Sequence, residues 1–364
     1  MPFAGIALIL AQAASMFLSD DDDLMRLIIA ILVSDAAIFH AACLEEAINP
    51  HGRWPLFGLE QRMDWWLSDD HQIHRHTRFD RAGFAELCQR LGIDVNDHDK
   101  RHFKYRPAHR LIIALNRLSR NCSLWEMSAK FQVSAQRIEA DFFSFVERII
   151  NALDGAQSDC NIRWFTDAEA MAHQQNPPFP EWPDVLAFAD GLFARMRKPT
   201  RRAGLWWSKF RQLYGLIFVI IVDWRGLIRF VSEGYQPITD ELKVIDYTQL
   251  YRKEAPLSFP LGLMGMGDTT YAARPSMFYA PFAVNQLQND GIATQAQKAI
   301  YNQKVRRIRV LSEHANAQIS GRWAILKEVS RLHRSRLPDL MKCACLLTNF
   351  QYVFTGVYPI GVVV

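Results

Sequence analysis

No two of the six cysteines stand at CxxC spacing. Cys43, Cys88, Cys122, Cys160, Cys343 and Cys345 are scattered along the chain, which excludes the usual zinc and redox motifs. Free thiols in a reducing compartment are the simplest account. Internal repeats and low-complexity tracts are also missing, so solenoid folds are disfavoured. A large excess of charge of one sign is lacking: the net charge is only +4 over 364 residues. That balance fits nucleic-acid binding without establishing it, since clustering is what matters. Basic residues do cluster, at Arg195, Arg197, Lys198, Arg201 and Arg202, at Lys304, Arg306, Arg307 and Arg309, and at Arg331, Arg334 and Arg336. Each cluster also reads as an ordinary solvated face.

The first apolar stretch, Phe3 to Leu18, has no basic residues ahead of it and is followed by Ser19 and four aspartates, Asp20 to Asp23. That is a helix N-cap and an acidic first turn rather than a targeting signal. The next apolar run, Leu24 to Leu44, is broken by Arg26, Asp35 and His40. Both read as helices that pack together or against a partner, with a membrane anchor as the alternative. With 49% apolar and 22% charged residues, the chain has the composition of a folded globular protein. Its length calls for more than one domain.

Past residue 60 the periodicity turns helical. Phe79, Phe84, Leu87 and Leu91 predict one amphipathic helix over 75–91, stopped by Gly92. Leu111, Ile112, Leu115 and Leu118 predict a second, opened by Pro107. Ser123 caps a short helix through Lys130. Val133 and Ser134 then make a turn and a new cap before a longer helix with Ile138, Phe142, Phe145, Val146 and Ile149. Short helix, tight turn and longer helix is the helix-turn-helix outline, and an ordinary helical bundle has the same outline. In the DNA-reading version, Gln132, Gln136 and Arg137 would touch DNA.

The prolines at 177, 178, 180 and 183 mark a linker, after which the texture becomes that of strands. Val185 to Ala189 is a short apolar strand ending at Asp190-Gly191. Tyr214 to Val222 is a nearly continuous apolar run, as in a central strand buried on both faces, and Leu227 to Val231 completes a hairpin. Leu261 to Met266 makes a further strand ending at Gly267-Asp268, and Tyr301 to Val329 reads as a long helix. On that helix Ile308, Leu311, Ala315, Ile319 and Leu326 form the core stripe. Glu313 falls off it, beside Val310, Ala317, Ser320 and Ala324, and by periodicity alone is a surface charge. An aspartate before glycine is by itself usually a turn residue, but two at strand ends stand where chemistry gathers in open sheets.

The order of several fragments resembles the PIF/Harbinger-type transposases and their domesticated relatives, in the DDE endonuclease superfamily. They are NRLSRNCSLWEMSAKFQVSAQRI (116–138), VLAFADG (185–191), QLYGLIFVIIVDWRGLI (212–228), GDTTY (267–271), RIRVLSEHANAQISGRW (307–323) and CACLLTNF (343–350). The resemblance implies an α/β fold: an RNase H-like core with a mixed sheet flanked by helices, preceded by an all-helical amino-terminal region containing a helix-turn-helix-like unit. The expected organisation is an apolar helical region (1–60), a helical region with that unit (61–172), an RNase H-like DDE endonuclease domain (173–350) and a short tail (351–364).

Carried over by position, the catalytic and metal-binding acids are Asp190, Asp268 and Glu313, separated by 78 and 45 residues. Asp240 would support the site, while Asp246 and Glu254 would stand outside it. In-line phosphodiester cleavage needs charge neutralised on the attacking and leaving oxygens, and two divalent ions about 4 Å apart do this. Oxygen ligands suit Mg²⁺ or Mn²⁺, so two such ions per site are implied. Lys304, Arg306, Arg307, Arg309 and Arg322 would contact phosphates.

The implied activity is cutting at transposon ends and joining of the freed 3′-hydroxyls to target DNA. The implied setting is the nucleus, with a separate Myb-like DNA-binding partner. The amino-terminal helices offer a surface for that partner or for a second copy of the chain. Two positions depart from the family pattern: Thr239-Asp240 stands where a His-Asp step is usual, and Leu347-Thr348-Asn349 where Leu-His-Asn is. The closing VYPIGVVV is shorter and more apolar than the pattern. These departures leave room for a domesticated nuclease that no longer transposes, or for a catalytically silent DNA-binding or scaffolding protein.

Overall fold

Short polar side chains set the helix boundaries in the amino-terminal half. The computed structural model describes residues 59–95, 105–239, 243–245, 259–288, 291–327 and 334–356. The chain divides into two units, Met1–Asp64 and Trp65–Val364, and the second carries everything discussed below. The two apolar amino-terminal stretches lie outside the described residues. Among the described residues, no helix is long and apolar enough to cross a membrane.

The first described helices are α1 (Leu59–Ser68), α2 (Asp70–Thr77) and α3 (Arg81–Arg90). The single helix expected over 75–91 is therefore two. Arg78 takes a left-handed conformation with φ 71°, and the Asp80 side chain accepts the Gly83 amide at 2.7 Å. Such a cap is worth about 1 kcal/mol, enough to restart a helix where apolar spacing alone suggests continuity. Gly92 ends α3 with φ 62°, as the sequence indicates.

Helices α4 (Pro107–Arg120), α5 (Leu124–Phe131) and α6 (Ala135–Leu153) follow the predicted helix-turn-helix outline. Ser123 and Glu126 form a reciprocal capping box, Gln132 makes the left-handed turn, and Ser134 caps α6. A short helix not anticipated from sequence, α7 (Asp167–Gln175), is opened by a second capping box, Thr166 with Glu169. Its apolar periodicity is weak, so capping rather than patterning defines it.

The sheet has six strands: β1 (Val185–Arg195), β2 (Trp207–Ser208), β3 (Leu213–Asp223), β4 (Ile228–Val231), β5 (Met264–Met266) and β6 (Phe278–Tyr279). Their order is β2-β3-β1-β5-β6, with β4 also paired to β3. β1 runs antiparallel to β3 and parallel to β5, and β5 parallel to β6. After the sheet come α8 (Val284–Gln288), α9 (Ile292–Arg322), α10 (Ala324–Lys327) and α11 (Leu337–Thr355). The result is a mixed sheet flanked by helices and preceded by an all-helical region, the expected α/β architecture.

Three boundaries differ from expectation. β1 does not end at Asp190: it pairs with β3 without interruption from Ala187↔Asp223 to Arg195↔Gly215. The long apolar run of β3 provides the ladder, so Asp190 sits in mid-strand and Asp190-Gly191 is no turn. β5 is shorter than expected because Pro260–Gly262 forms a 3-10 turn. The long helix begins at Ile292 and stops at Arg322, because Trp323 leaves helical geometry. The fully buried Trp323 ring packs against Phe79 and donates its Nε1–H to Thr348 Oγ1 at 3.1 Å. Leu326, counted with the long helix by periodicity, belongs to α10.

One side of the sheet is filled by Phe165, Leu186, Val219, Ile221, Phe259, Tyr271 and Phe278. α9 packs on β1 and β3, and α11 on α6 and β4. The late departure from the family pattern, Thr348, belongs to this scaffold, as does its neighbour Asn349, which keeps the pattern. Thr348 also donates to the Ala344 carbonyl at 2.7 Å. Asn349, 2% exposed, clasps β4 by accepting the Ile228 amide at 2.8 Å and donating to the Ile228 carbonyl at 3.0 Å and that of Cys160 at 3.3 Å.

Candidate active site

Asp190 and Asp268 meet because β1 and β5 are parallel neighbours in register. Phe188 pairs with Met266, and each aspartate lies two residues beyond its member of that pair, hence on the same side of the sheet. Two glycines let β5 and the turn after it pack closely against aromatic rings. A Cβ on Gly267 would stand 2.4 Å from Tyr271 Cγ, and one on Gly265 would stand 2.6 Å from the Phe278 ring. The half-buried Asp268 caps the turn that follows, accepting the Thr270 amide at 2.8 Å.

The surroundings of Asp190 raise its pKa above the ordinary carboxylate value. Burial is the largest cause, and the negative charge of Asp268 adds to it. The Gly191 amide, the Arg309 guanidinium and the Asn316 amide act in the other direction. The Gly191 N–H reaches Asp190 Oδ1 at 2.9 Å, and Asn316 Nδ2 reaches Oδ2 at 2.9 Å. Asp190 is thus held between two donors, with a second carboxylate close enough to repel it.

Glu313 is placed differently. It is exposed on α9 and forms an ion pair with Arg309 one turn earlier. Arg309 and Asn316, seven residues apart, share a helix face, and Glu313 lies about 60° round from Asn316 at 3.6 residues per turn. The structure brings Asp190 and Asp268 to one side of the sheet, with Asn316 hydrogen-bonded to Asp190 and Glu313 exposed on α9. Among the described residues, no three His, Cys, Asp or Glu side chains gather to hold a metal. Asp240, Asp246 and Glu254 lie outside the described residues.

The donors present nonetheless suit a hard divalent cation. Two carboxylates repel one another in a partly buried site, an arrangement that a cation relieves. The Asn316 side-chain carbonyl, Oδ1, is buried without a hydrogen-bond partner. All three groups offer oxygen, the preferred ligand of Mg²⁺ and Mn²⁺.

Comparison with known proteins finds a family match over part of the chain. Residues 189–349 match the DDE superfamily endonuclease family. The matched span runs from mid-β1 to α11 and contains Asp190, Asp268 and Glu313. It supports a nuclease of transposase type at the level of the superfamily. No curated protein and no solved structure matches the chain.

The residues expected to touch DNA are distributed unevenly. Gln136 is exposed at the start of α6. Arg137 is half-buried and bound through Nε to Asp141 at 3.1 Å, and Arg110 grips the same carboxylate at 2.6 Å. Gln132 is half-buried in its left-handed turn. On α9, Arg306 and Arg307 are exposed, and Lys304 is also open, with Glu181 3.7 Å away. Arg309 is engaged by Glu313. Arg322 is half-buried, and burial pushes its pKa down. Sequence reasoning missed Asn316, which sits between the apolar stripe of Leu311, Ala315 and Ile319 and the Glu313 face. A polar residue flanking a core stripe on a helix already carrying a candidate acid was the available signal.

Proposed function

We propose that this chain is a divalent-metal-dependent DNA endonuclease of transposase type, built on Asp190 and Asp268 with Glu313 completing the acidic set. The observation that carries the reading is the convergence of the two aspartates from neighbouring parallel strands, inside the span that matches the endonuclease family.

Two divalent ions, when bound, supply neutralisation of charge on the attacking and leaving oxygens. The protein's part is positional. β1 carries Asp190, the capped turn after β5 carries Asp268, and Asn316 and the Gly191 amide hold the Asp190 carboxylate. Glu313 reaches the centre by leaving Arg309, which frees the Arg309 guanidinium for phosphate. Arg306, Arg307 and Lys304 extend that basic face along α9. Arg197, Lys198, Arg201 and Arg202, exposed or half-exposed between β1 and β2, offer a second backbone contact, since phosphate contacts place DNA without reading its sequence.

Cutting at transposon ends followed by joining of 3′-hydroxyls to target DNA is the full activity in this reading. A Myb-like partner supplies end recognition, and the nucleus is the site of action. A domesticated nuclease would keep the first step alone. The catalytically silent reading is favoured by one observation, the engagement of Glu313 with Arg309.

Nicking of supercoiled plasmid in Mg²⁺ or Mn²⁺ separates these readings. Wild type is expected to nick only with the divalent ion, and Asp190→Ala to be inactive. Equal nicking by both proteins, or nicking in EDTA, contradicts the nuclease reading.

A further inference from the structure

Asn316 is a polar side chain where packing alone asks for an apolar one. Its helical neighbours Leu311, Ala315 and Ile319 are each about 1% exposed or less, and Asn316 itself is 8% exposed. Its Nδ2 donates to Asp190 Oδ2 at 2.9 Å, with the Gly191 carbonyl at 3.5 Å as a weaker second acceptor. Its Oδ1 is buried with no hydrogen-bond partner. A buried acceptor left unpaired is destabilising, and such atoms in folded proteins call for a specific account. The amide cannot escape by turning over, because Oδ1 would then face the Asp190 carboxylate oxygen. The orphaned carbonyl is therefore fixed beside Asp190 by the same hydrogen bond that orients that carboxylate.

We propose that Asn316 is a metal-centre residue: its Oδ1 is a neutral oxygen donor to the divalent ion held by Asp190 and Asp268, while its Nδ2 sets the orientation of Asp190. This rests on the nuclease reading above and adds to it a ligand that the acidic set does not contain. Amide carbonyl oxygens are accepted ligands of hard divalent cations. A neutral donor also adds no further negative charge to the acidic set of a partly buried site. Glu313, exposed and engaged by Arg309, does not compete for the position.

The test is Mn²⁺ binding by calorimetry on the full chain, compared for wild type, Asn316→Leu, Asn316→Asp and Asp190→Asn, with melting in EDTA to establish that each variant folds. Asn316→Leu is expected to weaken Mn²⁺ binding about 10–100-fold, the range seen when groups supporting a metal site are removed. Asn316→Asp keeps an oxygen at the position and is expected to bind Mn²⁺ at least as tightly as wild type while melting lower in EDTA. A purely structural asparagine would not give that opposed pair. Wild-type affinity in Asn316→Leu, or equal weakening in the Leu and Asp variants, overturns the role of Asn316 and leaves the two aspartates standing. Unchanged affinity in Asp190→Asn removes the metal centre itself, and with it both the nuclease reading and this one.

Discussion

Replacing Asp190 by asparagine removes one charge and almost no volume, so its effect isolates the electrostatics of the site. The environment as a whole disfavours the ionised carboxylate: burial and the charge of Asp268 outweigh Gly191, Arg309 and Asn316. A neutral isostere avoids that penalty. Its hydrogen bonds can be kept, because the Gly191 amide still has an oxygen to reach and Asn316 can turn its unpartnered Oδ1 toward the new N–H. The apo protein is therefore expected to gain stability. Stabilising single changes commonly contribute about 0.5–2 kcal/mol, and a gain near 1 kcal/mol raises the melting temperature of a large domain by about 2 °C. Divalent ion should reverse the ranking. At a concentration 100-fold above Kd, a ligand specific to the folded state adds about 2.7 kcal/mol, and only wild type has the site to receive it. Thermal melts of both proteins in EDTA and in Mn²⁺ read the two effects directly. Lower melting of Asp190→Asn in EDTA, or an equal Mn²⁺ shift in both proteins, refutes the reasoning.

Three further outcomes are expected elsewhere in the fold. His76, 5% exposed, is held down to a pKa of about 3 by burial, with help from Lys130, Arg120 and Arg75. The unfolded chain binds the proton first, so stability is full above pH 6.5 and falls as the pH drops, by about 2 kcal/mol at pH 5. Urea denaturation at pH 7.5 and 5 should show this contribution in wild type and not in His76→Gln. Gly267→Ala places a Cβ 2.4 Å from Tyr271 Cγ, and such overpacking costs about 1–3 kcal/mol. It should lower both the melting temperature and the Mn²⁺ affinity through Asp268, and a neutral result on both would remove the close approach from the account. Asn349→Ala strands the Ile228 amide and carbonyl together with the Cys160 carbonyl. At about 1–3 kcal/mol per buried unpaired group, chemical denaturation should register a loss of about 3 kcal/mol or more, and a loss below about 1 kcal/mol would contradict the clasp.

Helices α4, α5 and α6 were legible because each has both an apolar stripe and a capping residue or proline at its start. Where the two signals disagreed, the cap won, as at Asp80, and α7 escaped notice because it is nearly all cap and little stripe. Asp-Gly is common in turns and so suggests a strand end at Asp190, yet the apolar run of β3 supplies partners beyond it. The pairing of Asp190 with Asp268 could not be read locally, because it depends on the β1/β5 register across most of the domain. Asn316 was hidden for another reason: its meaning lies in which atom it leaves unpaired. Thr348, a departure from the family pattern, turned out to anchor the Trp323 ring.

The most direct measurement of the central claim is a crystal structure of the protein grown or soaked in Mn²⁺, read by anomalous scattering. The account predicts a peak between the carboxylates of Asp190 and Asp268, with Asn316 Oδ1 among the oxygens that surround it. A well-ordered site with no Mn²⁺ at the two aspartates, or a peak held by other residues, would contradict it.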